Sequence, residues 1–307
     1  MKCSAFWNHT NVRAGNRVYA CCRFRHPIQN FDGDLVNILQ SKEYESLRIK
    51  SAAGEFIPGC EKCAYEESIG HKSLRQEFNE QYNFDNVELK FLEIGFDNLC
   101  NLVCDGCNSE FSTSWIIKEK QIFGAARNKL LEIDEIVDVP NSIKKVLFLG
   151  GEPLITDKHY KLIKEFKEPK EIVYNTNATF IPPEYIIQEM RKHNTKFIIS
   201  IDGYGDLNEK VRGGTKWQSV LDFIAWVENN NFDFEFNTVL HKNNYFGVFE
   251  LSAFLEQYNK NWYVNCLTYP SNLDIKTLTS KELDTFREKL KDSNIPTKGF
   301  ILGHINA

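Results

Sequence analysis

Cys100, Cys104 and Cys107 stand close together in the run Cys100-Asn101-Leu102-Val103-Cys104-Asp105-Gly106-Cys107, with Asn108 directly after it. This spacing can place three thiolates on three corners of a cubane iron–sulfur cluster. Cluster ligation normally takes four cysteines, so a compact set of three leaves one iron without a protein ligand. An open metal position is the mark of a catalytic site, whereas structural sites are closed. The competing reading is a zinc knuckle that borrows a fourth ligand from elsewhere. Zinc pairs more usually read C-x2-C, and this loop contains no histidine.

Such a loop needs a scaffold, and the flanking sequence describes one. Strand-like segments fall at 89–96, 146–149, 171–176, 196–202, 233–240 and 262–267. Between them, helical periodicity is clear in Trp217, Val220, Leu221, Ile224 and Val227, and again in Val248, Leu251, Phe254, Leu255 and Tyr258. The alternation predicts parallel βα units. A doubly wound sheet is the alternative, but no G-x-G-x-x-G follows the first strand. Active sites in parallel barrels gather at the carboxyl ends of the strands, and here those ends are polar: Asn175-Thr176-Asn177, Ser200-Ile201-Asp202-Gly203 and Asn237-Thr238. A side-chain period of two puts Asn175 with Asn177, and Ser200 with Asp202, on shared faces. Ile199 and Ile201 face the other way. The simpler role for Ser200 and Asp202 is to cap the following helix.

The second strand runs into Gly150-Gly151-Glu152-Pro153, roughly forty residues after the cysteine loop. A buried strand, a three-cysteine loop, a second strand and a GGEP segment in that order resemble the radical S-adenosylmethionine (SAM) superfamily. The resemblance implies a partial (β/α)6 TIM-like barrel. It implies a catalytic 4Fe–4S cluster on Cys100, Cys104 and Cys107, with SAM on the fourth iron. By the same resemblance Gly150, Gly151 and Glu152 hold the amino group of SAM, and Ser200, Asp202 and Arg212 contact its ribose and carboxylate. Asn177 and Asn237, at neighbouring strand ends, join the cofactor-binding set. The implied chemistry is one-electron cleavage of SAM to methionine and a 5′-deoxyadenosyl radical, which abstracts a hydrogen atom from the substrate. The electron comes from an external reductant such as flavodoxin or ferredoxin. One departure stands out. Many relatives carry an aromatic or long apolar residue just before the third cysteine, touching adenine; this chain has Gly106, so that contact falls to backbone or to later strands.

The amino-terminal residues hold Cys3, then Ala14-Gly15-Asn16-Arg17-Val18-Tyr19-Ala20-Cys21-Cys22, a helix-like 41–48, a Pro58-Gly59 turn and Cys60-Glu61-Lys62-Cys63. This order resembles the SPASM/twitch auxiliary-cluster module, which more commonly follows the barrel. The resemblance implies a second, auxiliary 4Fe–4S cluster on Cys3, Cys21, Cys60 and Cys63. Cys22 is the rival to Cys21, since neighbours on a strand point to opposite faces. A four-cysteine zinc ribbon is the structural alternative. The expected organisation is thus a module at 1–87, a barrel at 88–270 and a helical extension at 271–307.

Composition restricts the class. In 307 residues, hydrophobic types make up 42%, charged types 26%, and the net charge is −5, as in an ordinary globular protein with no general attraction to nucleic acid or anionic membrane. No apolar run of about 18 residues and no signal-peptide core follows Met1, which leads one to expect a cytoplasmic chain with no membrane partner. Nine cysteines, mostly grouped, read as metal ligation in a reducing compartment rather than as disulfides. The seven histidines lack metal-ligand spacing, and there is neither a G-x-S-x-G elbow nor a P-loop. Cys266, outside both cysteine groups, is a candidate hydrogen-atom donor to a substrate radical, as in a radical epimerase; Asn265, its neighbour, has the opposite strand parity. A buried core cysteine is the plainer role for it. Among substrates, an amino-acid, aminoacyl or peptide centre is the leading expectation, with a nucleoside or DNA base as the alternative. A non-catalytic iron–sulfur electron-transfer protein is the reading from another class. The GGEP segment and polar strand ends argue against it, because an electron carrier has no use for a SAM site.

Overall fold

The computed structural model describes residues 2–133 and 135–307. Its strands, in chain order, are β1 (His9–Arg13), β2 (Arg17–Tyr19), β3 (Gln29–Asn30), β4 (Phe91–Ile94), β5 (Val103–Cys104), β6 (Lys145–Phe148), β7 (Glu171–Thr176), β8 (Asn194–Ser200), β9 (Arg212–Gly213), β10 (Asp233–Leu240) and β11 (Trp262–Cys266). All six expected strands form, most of them trimmed by one to four residues at their ends. The chain divides into two compact units: Met1–Leu99, Leu130–Tyr174 and Pro182–Thr195 make the first, and Cys100–Lys129, Asn175–Ile181 and Lys196–Ala307 the second.

In the first unit the strands lie in the order β7-β6-β4-β1-β2-β3. β1, β4, β6 and β7 run parallel, with Thr10 opposite Leu92, Leu92 opposite Val146 and Val146 opposite Ile172. Such strands are buried on both faces and read as near-continuous apolar runs. Leu92, Ile94, Val146, Phe148, Ile172 and Tyr174 are all fully buried. Burying each large apolar side chain stabilises the fold by about 2 kcal/mol. β1 and β2 form an antiparallel hairpin. Because β1 also pairs with β4, the strands of the expected 1–87 module and the first expected barrel strand share one sheet.

In the second unit β8, β10 and β11 run parallel, Ser200 standing opposite Asn237 and Leu240 opposite Cys266. Helix Trp217–Asn229 covers them, burying Val220, Phe223, Ile224 and Val227. Phe223, not the expected Leu221, completes its apolar stripe, because it packs edge-to-face on Phe197 of β8 at 5.5 Å. Helix Val248–Leu255 buries Val248, Leu251 and Leu255, while Tyr258 falls in the 3-10 turn that follows. Residues after β11 form helices Ser280–Lys291 and Lys298–Asn306, the first opened by a capping box between Thr279 and Glu282. Among the described residues, no helix is long and apolar enough to cross a membrane. The fold class is α/β with a mostly parallel sheet, as a partial TIM-like barrel requires.

Candidate active site

The cysteine loop belongs to the second unit and is held by its own downstream helix. Ser112 caps helix Thr113–Phe123 and donates its hydroxyl to the carbonyl of Leu102 at 2.6 Å. Ser114 Oγ donates to the carbonyl of Cys100 at 2.9 Å, and the indole of Trp115 to that of Cys104 at 3.1 Å. Glu119, from the next turn, accepts from Ser109 Oγ at 2.8 Å and from Arg127. The carbonyls of Cys100, Leu102 and Cys104 are therefore committed to the helix that follows the loop. Burial pushes the Cys104 thiol up to about 11 and that of Cys107 up to about 12, so iron must displace protons as it binds.

The strand β9 pairs with β5 so that Arg212 stands opposite Cys104. The guanidinium donates to Asp202 Oδ2 at 2.7 Å, and Asp202 Oδ1 accepts the amide of Val239 at 2.7 Å. Asp202 thus orients Arg212 and holds the end of β10. Arg212 is mostly buried, with its side chain 11% exposed; its positive charge works against burial at Cys104, and its buried Nε has no hydrogen-bond partner among the described atoms. Buried donors are seldom left unmatched. An orphan donor beside thiolate ligands fits a carboxylate-bearing group such as SAM.

The polar strand ends of this unit share a face. Ser200 Oγ donates to Asn175 Oδ1 at 3.3 Å, and Asn265 Nδ2 donates to Asn237 Oδ1 at 3.0 Å. Asn177 reaches the loop itself, its amide lying 3.0 Å from Asn101 Oδ1 and 3.9 Å from the sulfur of Cys100. Cys266 does not join them. It shares the buried face of β11 with Trp262 and Val264, while Tyr263 and Asn265 take the more open face. The structure thus places Asn265, and not Cys266, on the face of the polar strand ends, and the buried position of Cys266 is that of the core cysteine that was its plainer role. His241, at the end of β10, is a buried core histidine that accepts the amide of Asn243 at 3.2 Å.

Gly106 has φ +77°, and a Cβ there would stand 2.8 Å from Leu267 Cδ2. Leu267 therefore occupies the room a side chain at 106 would need. It lies one residue beyond β11 and shares parity with Asn265. Sequence reasoning assigned no role to Leu267, Asn101 or Asn244 and left open which of Asn265 and Cys266 faces the site. Asn244, whose amide donates to the carbonyls of Asp202 and Val239 at 2.9 Å each, carries no local signal.

The GGEP turn lies in the first unit, on the residues that lead out of β4. Gly151 N donates to Asp97 O at 3.1 Å and Glu152 N to Leu99 O at 2.7 Å. A Cβ on Gly151 would sit 2.0 Å from Leu99 O, so only glycine allows this approach. The Glu152 carboxylate is buried and accepts the amide of Leu154 at 3.1 Å.

The same unit contains a small cavity lined by Cys3, Cys21, Cys60 and Cys63. Around them stand Phe6, Phe24, Leu74 and Phe78, with Arg23 and Arg75 as the charged groups of the lining. Cys22 is not part of the lining and bonds instead to the carboxylate of Glu93. Burial pushes the Cys3 and Cys60 thiols up to about 12. Four thiols around one cavity are the donor set of a 4Fe–4S cluster, and equally of a four-cysteine zinc site.

A family model described as the radical SAM superfamily matches residues 96–250, just over half the chain. Curated relatives include a GTP 3′,8-cyclase from Campylobacter lari, 28% identical over 164 residues, or 50% of this chain and 48% of the relative. A protein of the same name from Clostridium perfringens (strain SM101) is 28% identical over 202 residues, or 62% of this chain and 54% of the relative. The chain thus spans about half the length of the curated relatives it matches. Among solved structures, native anSMEcpe with bound AdoMet aligns with a TM-score of 0.49 at 17% identity, over 66% of this chain and 59% of that one. Streptococcus suis SuiB bound to S-adenosylmethionine aligns with a TM-score of 0.42 at 17% identity, over 66% and 44%.

Proposed function

Because the chain belongs to the radical SAM superfamily, we propose that it takes a hydrogen atom from a nucleoside or nucleotide substrate. The observation that carries the reading is the second unit's juxtaposition of three loop cysteines with a mostly buried arginine whose Nε is unmatched. Cys100, Cys104 and Cys107 would hold a 4Fe–4S cluster, and Arg212, oriented by Asp202, would take the carboxylate of SAM. Gly150, Gly151 and Glu152 keep the role for its amino group that the sequence implies. When bound and reduced, the cluster supplies the electron that splits SAM into methionine and a 5′-deoxyadenosyl radical. The protein's share is to orient the cofactor and the substrate and to keep water and stray hydrogen donors away. An external one-electron reductant completes the set of partners.

Two findings favour a nucleotide over the amino-acid or peptide centre that the sequence put first. The relatives at 28% identity bear the name GTP 3′,8-cyclase. The open strand face carries Asn175, Asn237 and Asn265, and each carboxamide presents a donor and an acceptor, the pairing that a base edge asks for. The test is anaerobic incubation with SAM, dithionite and single nucleotides. GTP or another nucleotide should raise 5′-deoxyadenosine output, and deuterium on its ribose should appear in that product. If peptides stimulate and no nucleotide does, the amino-acid reading replaces this one.

We also propose that Cys3, Cys21, Cys60 and Cys63 hold an auxiliary 4Fe–4S cluster in a SPASM/twitch-like module within residues 1–87. Their common cavity supports it.

A further inference from the structure

We propose that Arg23 and Arg75 raise the reduction potential of the amino-terminal cluster. This rests on the auxiliary-cluster reading above. Both arginines line the cavity of the four cysteines, and the side chains between them are apolar: Phe6, Phe24, Leu74 and Phe78. A cluster on four thiolates gains one further negative charge when reduced, and net charge is among the factors that set its potential. A lining of this kind excludes water, which by itself penalises the more charged, reduced state. A guanidinium at the wall acts in the opposite sense, and low polarity strengthens its field.

The two cations reach different ligands. The charge of Arg75 acts on Cys3 and Cys60, and that of Arg23 on Cys63, each opposed by carboxylates: Glu61 at Cys60, and Glu66 and Glu67 at Cys63.

Each guanidinium is held by a carboxylate. Arg23 pairs with Glu66, which is 1% exposed and has Lys62 at 3.8 Å as a second cation. Arg75 pairs with Glu67 and donates to the carbonyl of Lys2 at 3.0 Å. The Arg75–Glu67 pair therefore offers a test with two signs. Removing the cation should lower the potential, and removing its counter-ion should raise it. A merely structural pair would shift both variants together or not at all.

The experiment uses the full chain with Cys100, Cys104 and Cys107 changed to alanine, so that one cluster is observed. It is reconstituted anaerobically, its iron and sulfide are counted, and it is titrated potentiometrically by electron paramagnetic resonance. Arg75→Gln should shift the midpoint negative, Glu67→Gln should shift it positive, and Arg75→Lys should stay near the parent. The double variant Arg75→Gln/Glu67→Gln leaves no orphan charge and serves where Arg75→Gln alone does not fold; its midpoint should lie below that of Glu67→Gln. Loaded variants with unchanged midpoints, or midpoints that move in one direction, overturn the inference and leave the cluster standing. A parent that binds no iron at these cysteines overturns the auxiliary reading and the inference with it.

Discussion

Arg212 is the residue on which the chemistry of the second unit turns. Its guanidinium is planar and forked, and one arm is already fixed by Asp202 at 2.7 Å. Replacing it with lysine keeps the charge and loses the fork. Arg212→Lys should weaken SAM binding about ten- to a hundredfold, the loss expected for a hydrogen bond to a charged group, measured by equilibrium dialysis with the cluster loaded. Retained affinity would remove Arg212 from the SAM site. A second residue-scale contrast lies in adjacent positions of β11. Asn265→Ala should impair substrate turnover while SAM cleavage continues, whereas Cys266→Ala should leave the product and its deuterium content in heavy water unchanged. Loss of product with Cys266→Ala alone would return that thiol to the mechanism. The three cysteines of the loop and the polarity of the strand ends were legible because ligands and strand ends are local patterns. The choice between Asn265 and Cys266 was not. Parity says only that they differ; which of them is buried depends on what packs against each face of β11.

Among the elements, the cysteine loop and the strand end behind it form a fitted pair. Gly106 adopts a left-handed backbone conformation, and Leu267 fills the space where its side chain would be. Gly106→Ala should cost about 1–2 kcal/mol from conformation alone, with a further loss from the contact. Leu267→Ala on top of it should recover the contact part only, leaving the conformational cost. Denaturant unfolding of the two single variants and the double variant forms a cycle that measures this coupling. Additive single effects would show that Leu267 does not press on the loop. The departure at Gly106 was visible in the sequence, but its partner was not, because Leu267 lies 161 positions away and its approach is set by the fold. That Cys21 lines the amino-terminal cavity and Cys22 does not was hidden for the same reason, since no short segment defines that cavity.

Stability of the whole molecule should carry the mark of one buried histidine. His159 is 1% exposed, its Nδ1 lies 2.8 Å from Tyr174 Oη, and burial holds its basicity down to about 4 from an ordinary value of 6.5. The unfolded chain therefore takes up a proton that the folded chain refuses. The contribution is complete above pH 6.5 and is lost as pH falls through about 4, the loss amounting to about 3 kcal/mol. His159→Gln should flatten the fall in Tm between pH 7 and pH 5 by calorimetry. An equal slope in both proteins would contradict the assignment. The α/β class and six of the eleven strands among the described residues were readable from periodicity. The pairing of β1 with β4 was not, because two strands 78 or more residues apart meet only through tertiary register.

The most direct measurement is 5′-deoxyadenosine formation by the anaerobically reconstituted chain with SAM and dithionite, beside variants of the loop cysteines. The account predicts product from the parent and none from Cys100→Ala, Cys104→Ala or Cys107→Ala, each variant folded and retaining roughly half the parent's iron, since one of two clusters loses a ligand. SAM cleavage that survives loss of all three cysteines, or a parent that loads iron and never cleaves SAM, would contradict it.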